Sequence, residues 1–210
     1  MVMSRTSRTD VPAIGVRRGT PADASTLTAL GAKTFHDTYA PDVPADDLAT
    51  FIAANFRHDQ TAAALDDPAQ SYLIATVDGA DVGYALLRDE HDGAGDDGRA
   101  LVLGLLYVDQ PFQGYGVGAA LMAASIAQAR RDGYRALKLT VWEHNAKAIS
   151  FYRRWGFQVI GDITFLLGRE EQRDLVMALH VDLVDERAGH RVRSRGPGRQ
   201  WPGQYADARQ

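Results

Sequence analysis

The chain reads as a single α/β (α+β) domain built on one central mixed, mostly antiparallel sheet of about seven strands with flanking helices. Three observations predict this class. The hydrophobic period is helical up to about Leu65 and then changes to that of strands from Ser71 onward. Two strand-like runs meet at Asp78-Gly79, a tight hairpin signal. From Ala100 the pattern alternates strand, helix, strand, helix, and closes on a pair of strands. At 210 residues and 22.9 kDa the chain is long enough for one well-cored domain and too short for two ordinary ones.

Taken in order, IGVRR (Ile14 to Arg18) reads as a short first strand. GTPADASTLTAL then opens a helix running to about Tyr39, with Thr20 as N-cap, Pro21 at the first helical position and Asp23 three residues after the cap. A proline-bearing turn, APDVP, precedes a second helix around Asp46 to Arg57, and a third short helix is expected over Gln60 to Leu65. SYLIATVDG and ADVGYALLRDE form the hairpin, HDGAGDDGRA is an acidic, glycine-rich loop, and ALVLGLLYVD is a buried strand of branched and aromatic residues. Val117 to Arg131 is helical, with Leu121, Met122, Ala124, Ile126 and Ala129 on its packed side. YRALKLTVWEH is the next strand, NAKAISFYRRWGF a helix ended by Gly156, and FQVIGDITFLLG with QRDLVMALHVD a final antiparallel pair. Residues 1–12 are expected to be a disordered start, 13–184 the domain, and 185–210 an Arg-, Gly- and Pro-rich disordered tail.

Composition excludes several classes. Without cysteine there is no disulfide scaffold, cysteine nucleophile or cysteine-based zinc site. The six histidines show no HxxxH or HExxH spacing, so no metal is expected. The start is polar, and no run approaches the roughly 20 apolar residues of a membrane helix, so a cytoplasmic protein with no membrane partner is expected. The tail carries six arginines against Asp185, Glu186 and Asp207. That surplus of three leaves −7 on the rest of a chain whose formal total is −4. An acidic body suits a cationic small partner better than a polyanion, and the tail is read as inert, with no nucleic-acid partner.

The most informative stretch is LLYVDQPFQGYGVGAALM, where a strand stops and glycines open a helix. Glycines admit positive φ and close backbone approach, and the first helical turn presents unpaired N–H groups to an anion. The triphosphate loop GxxxxGK(S/T) is absent, and the spacing of Gly114, Gly116 and Gly118 does not fit the dinucleotide fingerprint GxGxxG. What stands is Gln113-x-x-Gly116-x-Gly118. Downstream, VWEHNAKAISFYRRWGF sets an Asn after a strand, Phe-Tyr on a helix, and Gly-Phe at the start of another strand.

These two stretches, in this order and separation, resemble the GNAT acyltransferases, which use acetyl-coenzyme A; the likeness covers Ile14 to Val181. FHDTYAP (Phe35 to Pro41) and FLLGREEQRDLVM extend it toward the diamine and polyamine N-acetyltransferases. The resemblance implies a GNAT-like domain whose parallel strand pair splays apart at the coenzyme site. It implies that Gln113, Gly114, Tyr115, Gly116, Val117 and Gly118 hold the acetyl-CoA pyrophosphate, and that Leu106, Tyr107 and Val108 pair with the pantetheine arm. Asn145 would hydrogen-bond that arm while also serving as a helix N-cap, and Tyr152 would be the general acid for the leaving thiolate and approach the thioester.

Many relatives carry a Glu on the strand before the glycine loop, and ALVLGLLYVD has no acid before Asp109. Glu143 is the first candidate for the general base, with Asp109 and His144 behind it; a water chain to bulk, or capture of the small deprotonated fraction of the amine, is the alternative. The acceptor site is expected at Phe35, Asp37, Tyr39, Trp142 and Glu143, with Asp42, Glu90, Asp92, Asp96 and Asp97 as further acids for an ammonium group. The expected activity is acetyl transfer to a small-molecule primary amine, a polyamine first, by direct attack in a ternary complex. The alternatives are a protein N-terminus, an amino acid or an aminoglycoside-like amine as acceptor, or a non-catalytic acyl-CoA sensor. The resemblance also allows a homodimer, though no stretch marks an interface.

Overall fold

The computed structural model describes residues 13–90, 100–167 and 170–181. The expected disordered start and tail, the loop acids Asp92, Asp96 and Asp97, and the side chain of Glu90 lie outside the described residues. In chain order the elements are β1 (Ile14–Arg18), α1 (Ala24–Tyr39), α2 (Ala45–Asn55), α3 (His58–Asp66), β2 (Gln70–Val77), β3 (Ala80–Glu90), β4 (Ala100–Val108), α4 (Val117–Arg131), β5 (Ala136–Trp142), α5 (Ala146–Arg154), β6 (Gln158–Leu167) and β7 (Glu170–His180). Among the described residues no helix is long and apolar enough to cross a membrane.

The seven strands form one sheet in the order β1-β2-β3-β4-β5-β7-β6. Every neighbouring pair is antiparallel except β4 and β5, which run parallel because α4 carries the chain from one to the other. The fold is thus the mixed, mostly antiparallel α/β sheet that the periodicity predicts. β7 inserts between β5 and β6, which sets Asp174 directly opposite Trp142. Neither strand shows this locally.

Three helix starts and ends differ from the sequence reading. α1 begins at Ala24, after a 3-10 turn over Pro21–Asp23. Asp23 accepts from the backbone N and hydroxyl of Thr20 at 2.8 and 2.9 Å and from the Arg17 guanidinium, which tightens that turn. α2 stops at Asn55 rather than Arg57, because Phe56 leaves the helical region (φ −112°, ψ 73°) and turns its ring toward Phe35 and Tyr107. α3 then starts at His58, two residues before the expected Gln60.

The two faces of the sheet carry separate cores. On one face α4 and α5 bury Leu121, Met122, Leu137, Leu139, Ile149 and Met177. On the other, α1 covers Ile74, Tyr84 and Leu86 with Leu27 and Leu30. Each fully buried aliphatic side chain contributes about 1.5–3 kcal/mol. A third, aromatic cluster joins α1 to α2 around Phe35, Val43 and Leu48.

Candidate active site

The parallel pair is short. β4 and β5 are in register only from Ala100 opposite Ala136 to Val102 opposite Lys138. Beyond that point β4 stays with β3 as far as Val108 opposite Gly83, and β5 stays with β7 as far as Trp142 opposite Asp174. The strands therefore part, and their facing backbone groups border a gap.

A bulge in β4 shapes that gap. Leu86 pairs with Leu105 and Leu87 with Leu103, leaving Gly104 as the extra residue. A Cβ on Gly104 would lie 2.9 Å from the Arg88 guanidinium, which lies across the bulge. Because alternation resets here, Leu101 and Leu103 face α4, whereas Leu105 and Tyr107 face α1. Leu106 and Val108 return to the α4 face. Tyr107, expected only as a backbone contributor, thus sends its ring into the aromatic region at α1 and α2.

The glycine loop sits at the end of β4. Gly114 and Gly116 have φ of +88° and +94°, a conformation that other residues adopt only with strain. Gly116 is the residue before α4, and no side chain caps that helix start. The N–H groups of the first turn, from Val117 and Gly118, have no intrahelical acceptor. Tyr115 between the two glycines is 69% exposed, while Val117 is buried. Gln113 acts as a clip: its Nε2 donates to the Val108 carbonyl at 3.0 Å, and its Oε1 accepts from the Lys147 ammonium. Lys147, which the sequence reading missed, adds a positive charge beside the loop. Backbone N–H groups, a helix start and a lysine together suit a phosphate group.

α5 follows β5, the strand on the other side of the gap. Asn145 caps it, with Oδ1 accepting from Ala148 N at 3.0 Å. Tyr152 is 8% exposed, with its ring 5.5 Å from Phe151 and 5.7 Å from Phe157. Burial pushes its phenol well above the usual range, with a smaller contribution from Tyr39. Burial and then the Asp174 carboxylate push Tyr39 up to about 12. Tyr107 is raised by burial and by Tyr84, Tyr39 and Tyr152, and it meets Tyr84 edge-on at 5.5 Å. The phenols of Tyr39, Tyr84, Tyr107 and Tyr152, from four elements, are all raised chiefly by burial, and so are protonated at neutral pH and able to donate hydrogen bonds.

The expected acceptor residues divide. Tyr39 and Trp142 come together at 5.7 Å, with His144 edge-on to Trp142 at 5.2 Å. Phe35 is only 6% exposed, and stacks on Phe51 at 4.8 Å and lies 4.4 Å from Tyr39, so it supports the wall from behind. Asp37 accepts from Lys33 at 2.9 Å, and the same ammonium reaches Asp109. Asp42 sits in the turn after α1, its backbone N donating to the Tyr39 carbonyl. Glu143 follows Trp142, and its carboxylate turns toward α5 and pairs with Arg173 at 3.2 Å. There it lines a groove of about 680 Å³ with Ile149, Arg153 and Leu175. Among the described residues no cluster of three or more His, Asp or Glu side chains suits a metal ion.

Residues 33–157 match the family model described as "Acetyltransferase (GNAT) family". An uncharacterized N-acetyltransferase of Mycobacterium tuberculosis is 37% identical over 155 residues, covering 74% of this chain and 96% of that protein. The spermine/spermidine N(1)-acetyltransferase of Bacillus subtilis is 33% identical over 87 residues, 40% of this chain and 57% of that protein. Among solved structures, the PaiA N-acetyltransferase of Thermoplasma acidophilum in complex with coenzyme A superimposes with a TM-score of 0.67 at 18% identity, over 80% of this chain and 99% of that one. The chain belongs to the GNAT family of acetyltransferases.

Proposed function

We propose that the protein acetylates a primary amine of a small cationic molecule, a polyamine first among them, by direct attack in a ternary complex. The observation that carries this is the Tyr39–Trp142 pair at 5.7 Å, at the end of β5 where β4 and β5 have parted, with the phenol of Tyr152 buried on α5. The aromatic faces suit an ammonium group and the buried phenol suits a departing sulfur. The partial likeness to the Bacillus subtilis spermine/spermidine N(1)-acetyltransferase supports the same acceptor class.

In this reaction the ammonium first loses a proton, and the nitrogen lone pair then forms the C–N bond as the C–S bond breaks. Tyr152 hands its proton to the leaving thiolate, and the second proton lost by the acetylated nitrogen restores the phenol. Glu143 and Asp109 are each engaged by a cation, Arg173 and Lys33, so water in the cleft mouth takes the ammonium proton in this scheme. Glu143→Gln distinguishes this from base catalysis: kcat within about twofold of wild type supports water, and a loss of 10²-fold or more restores Glu143 as the base. Rate enhancement rests mainly on positioning.

The test is thiol release from acetyl-CoA with spermidine, spermine, putrescine, a lysine-bearing peptide, free amino acids and an aminoglycoside. Turnover highest with the polyamines supports the proposal. Turnover confined to another amine replaces the acceptor. Thermal stabilisation by acetyl-CoA with no turnover on any amine favours a binding or sensing role.

A further inference from the structure

Asp174 lies on β7, within FLLGREEQRDLVM and far in sequence from Tyr39 and Trp142, yet the strand order delivers it to that aromatic pair. It stands directly opposite Trp142 in the β5–β7 ladder, and residues directly opposite in an antiparallel pair share a face. That is the face on which Trp142 meets Tyr39 at 5.7 Å. One carboxylate oxygen, Oδ1, is buried. The neighbouring Arg173 turns to the other face, where it forks between Glu143 at 3.2 Å and Asp162 at 3.1 Å.

We propose that Asp174 reads a second positive charge on the acceptor, so that the enzyme prefers diamines over monoamines of equal length. This rests on the small-amine function proposed above. The order of groups supports it. Asp174 shares a face with Trp142, and Trp142 meets Tyr39 at 5.7 Å, so the carboxylate and the two rings line one face of the sheet. An amine reacting beside Tyr152 leaves the distal ammonium of a diamine to lie against Tyr39 and Trp142 and end at Asp174. The aromatic faces add cation–π attraction, and the carboxylate adds a charge-assisted contact. A monoamine makes neither distal contact.

The experiment compares 1,4-diaminobutane with butylamine in thiol release by the full chain. The wild type is expected to prefer the diamine by about tenfold or more in kcat/KM, the scale of one charge-assisted contact. Asp174→Asn should raise KM for the diamine about tenfold, leaving KM for butylamine and for acetyl-CoA near wild type. Asp174→Glu should recover part of the preference. An Asn variant that keeps the preference, or that slows both amines equally through kcat, overturns the inference. Should that variant not fold, the wild type alone decides, using (4-aminobutyl)trimethylammonium, which has one reactive nitrogen and a fixed distal charge. Preference for it over butylamine supports charge reading, and equality overturns it. Turnover of neither amine by the wild type sinks the small-amine function and this inference together; equal turnover of both sinks this inference alone.

Discussion

Tyr152 shows how one side chain acquires a role from its surroundings. The helix pattern places it beside Ile149 on the buried side of α5, where any aromatic residue would pack. What suits it to the proposed role of proton donor is the depth at which the hydroxyl is held, with a smaller electrostatic contribution from Tyr39. Desolvation disfavours the phenolate, so the acid form persists above the ordinary tyrosine range near 10. The amine behaves in the opposite sense: its reactive form grows as pH rises toward its own pKa of about 10.4. The rate with a saturating alkylamine should therefore climb from pH 7 to 10 with no falling limb from tyrosine in that window. Tyr152→Phe should lower kcat about 10²-fold with KM for acetyl-CoA changed less than threefold. A variant retaining full turnover across that range would remove Tyr152 from the chemistry.

At the level of elements, the features legible in the sequence are those whose cause is local. The Asp78-Gly79 hairpin, the Asn145 cap and the glycine-opened α4 each follow from a few adjacent residues, and each stands where the sequence puts it. The Gly104 bulge was not legible, because ALVLGLLYV reads as plain core strand, and only pairing with β3 shows which residue is extra. The glycine loop also allows two roles to be separated. Gly116→Ala adds a Cβ at φ +94° with the Ile14 Cδ1 atom 3.6 Å away, so the cost is backbone strain of about 1–2 kcal/mol. A fall in Tm of roughly 2–8 °C should follow for a chain of this size. Gly118 is helical, and its Cβ would meet Phe151 and Val108 at an ordinary 3.8 Å. Gly118→Ala should therefore keep or slightly raise Tm. If the coenzyme backbone approaches this turn closely, the same variant raises KM for acetyl-CoA. Unchanged KM would mean that Gly118 serves helix packing alone.

Across the whole molecule, the site is assembled from distant segments, and this limits what a linear reading can find. Tyr39, Tyr84, Tyr107, Trp142, Tyr152 and Asp174 come from six elements. The sequence motifs pointed to those beside the coenzyme loop and in FHDTYAP; FLLGREEQRDLVM contains Asp174 without distinguishing it, and Tyr84 lies in none of them. Those two carry no local signature, and reach the cluster through the β2-β3-β4 and β5-β7 pairings. Gathering several phenols into one interior also has a consequence for the stability of the entire fold. Tyr39, Tyr84, Tyr107 and Tyr152 all hold their protons more tightly when folded, chiefly through desolvation. In the unfolded chain they ionise near pH 10. Their contribution is thus fully present below about pH 10 and is lost as pH rises toward the folded-state values, because the unfolded chain sheds protons that the native state keeps. Each such phenol steepens the loss by up to about 1.4 kcal/mol per pH unit in that window. Thermal unfolding followed from pH 8 to 11.5 should show a shallow profile that breaks downward near pH 10. Tyr84→Phe, which removes one buried titrating group while keeping its ring, should make that alkaline fall measurably shallower. Parallel profiles for the two proteins would show that Tyr84 ionises as readily in the folded chain as in the unfolded one.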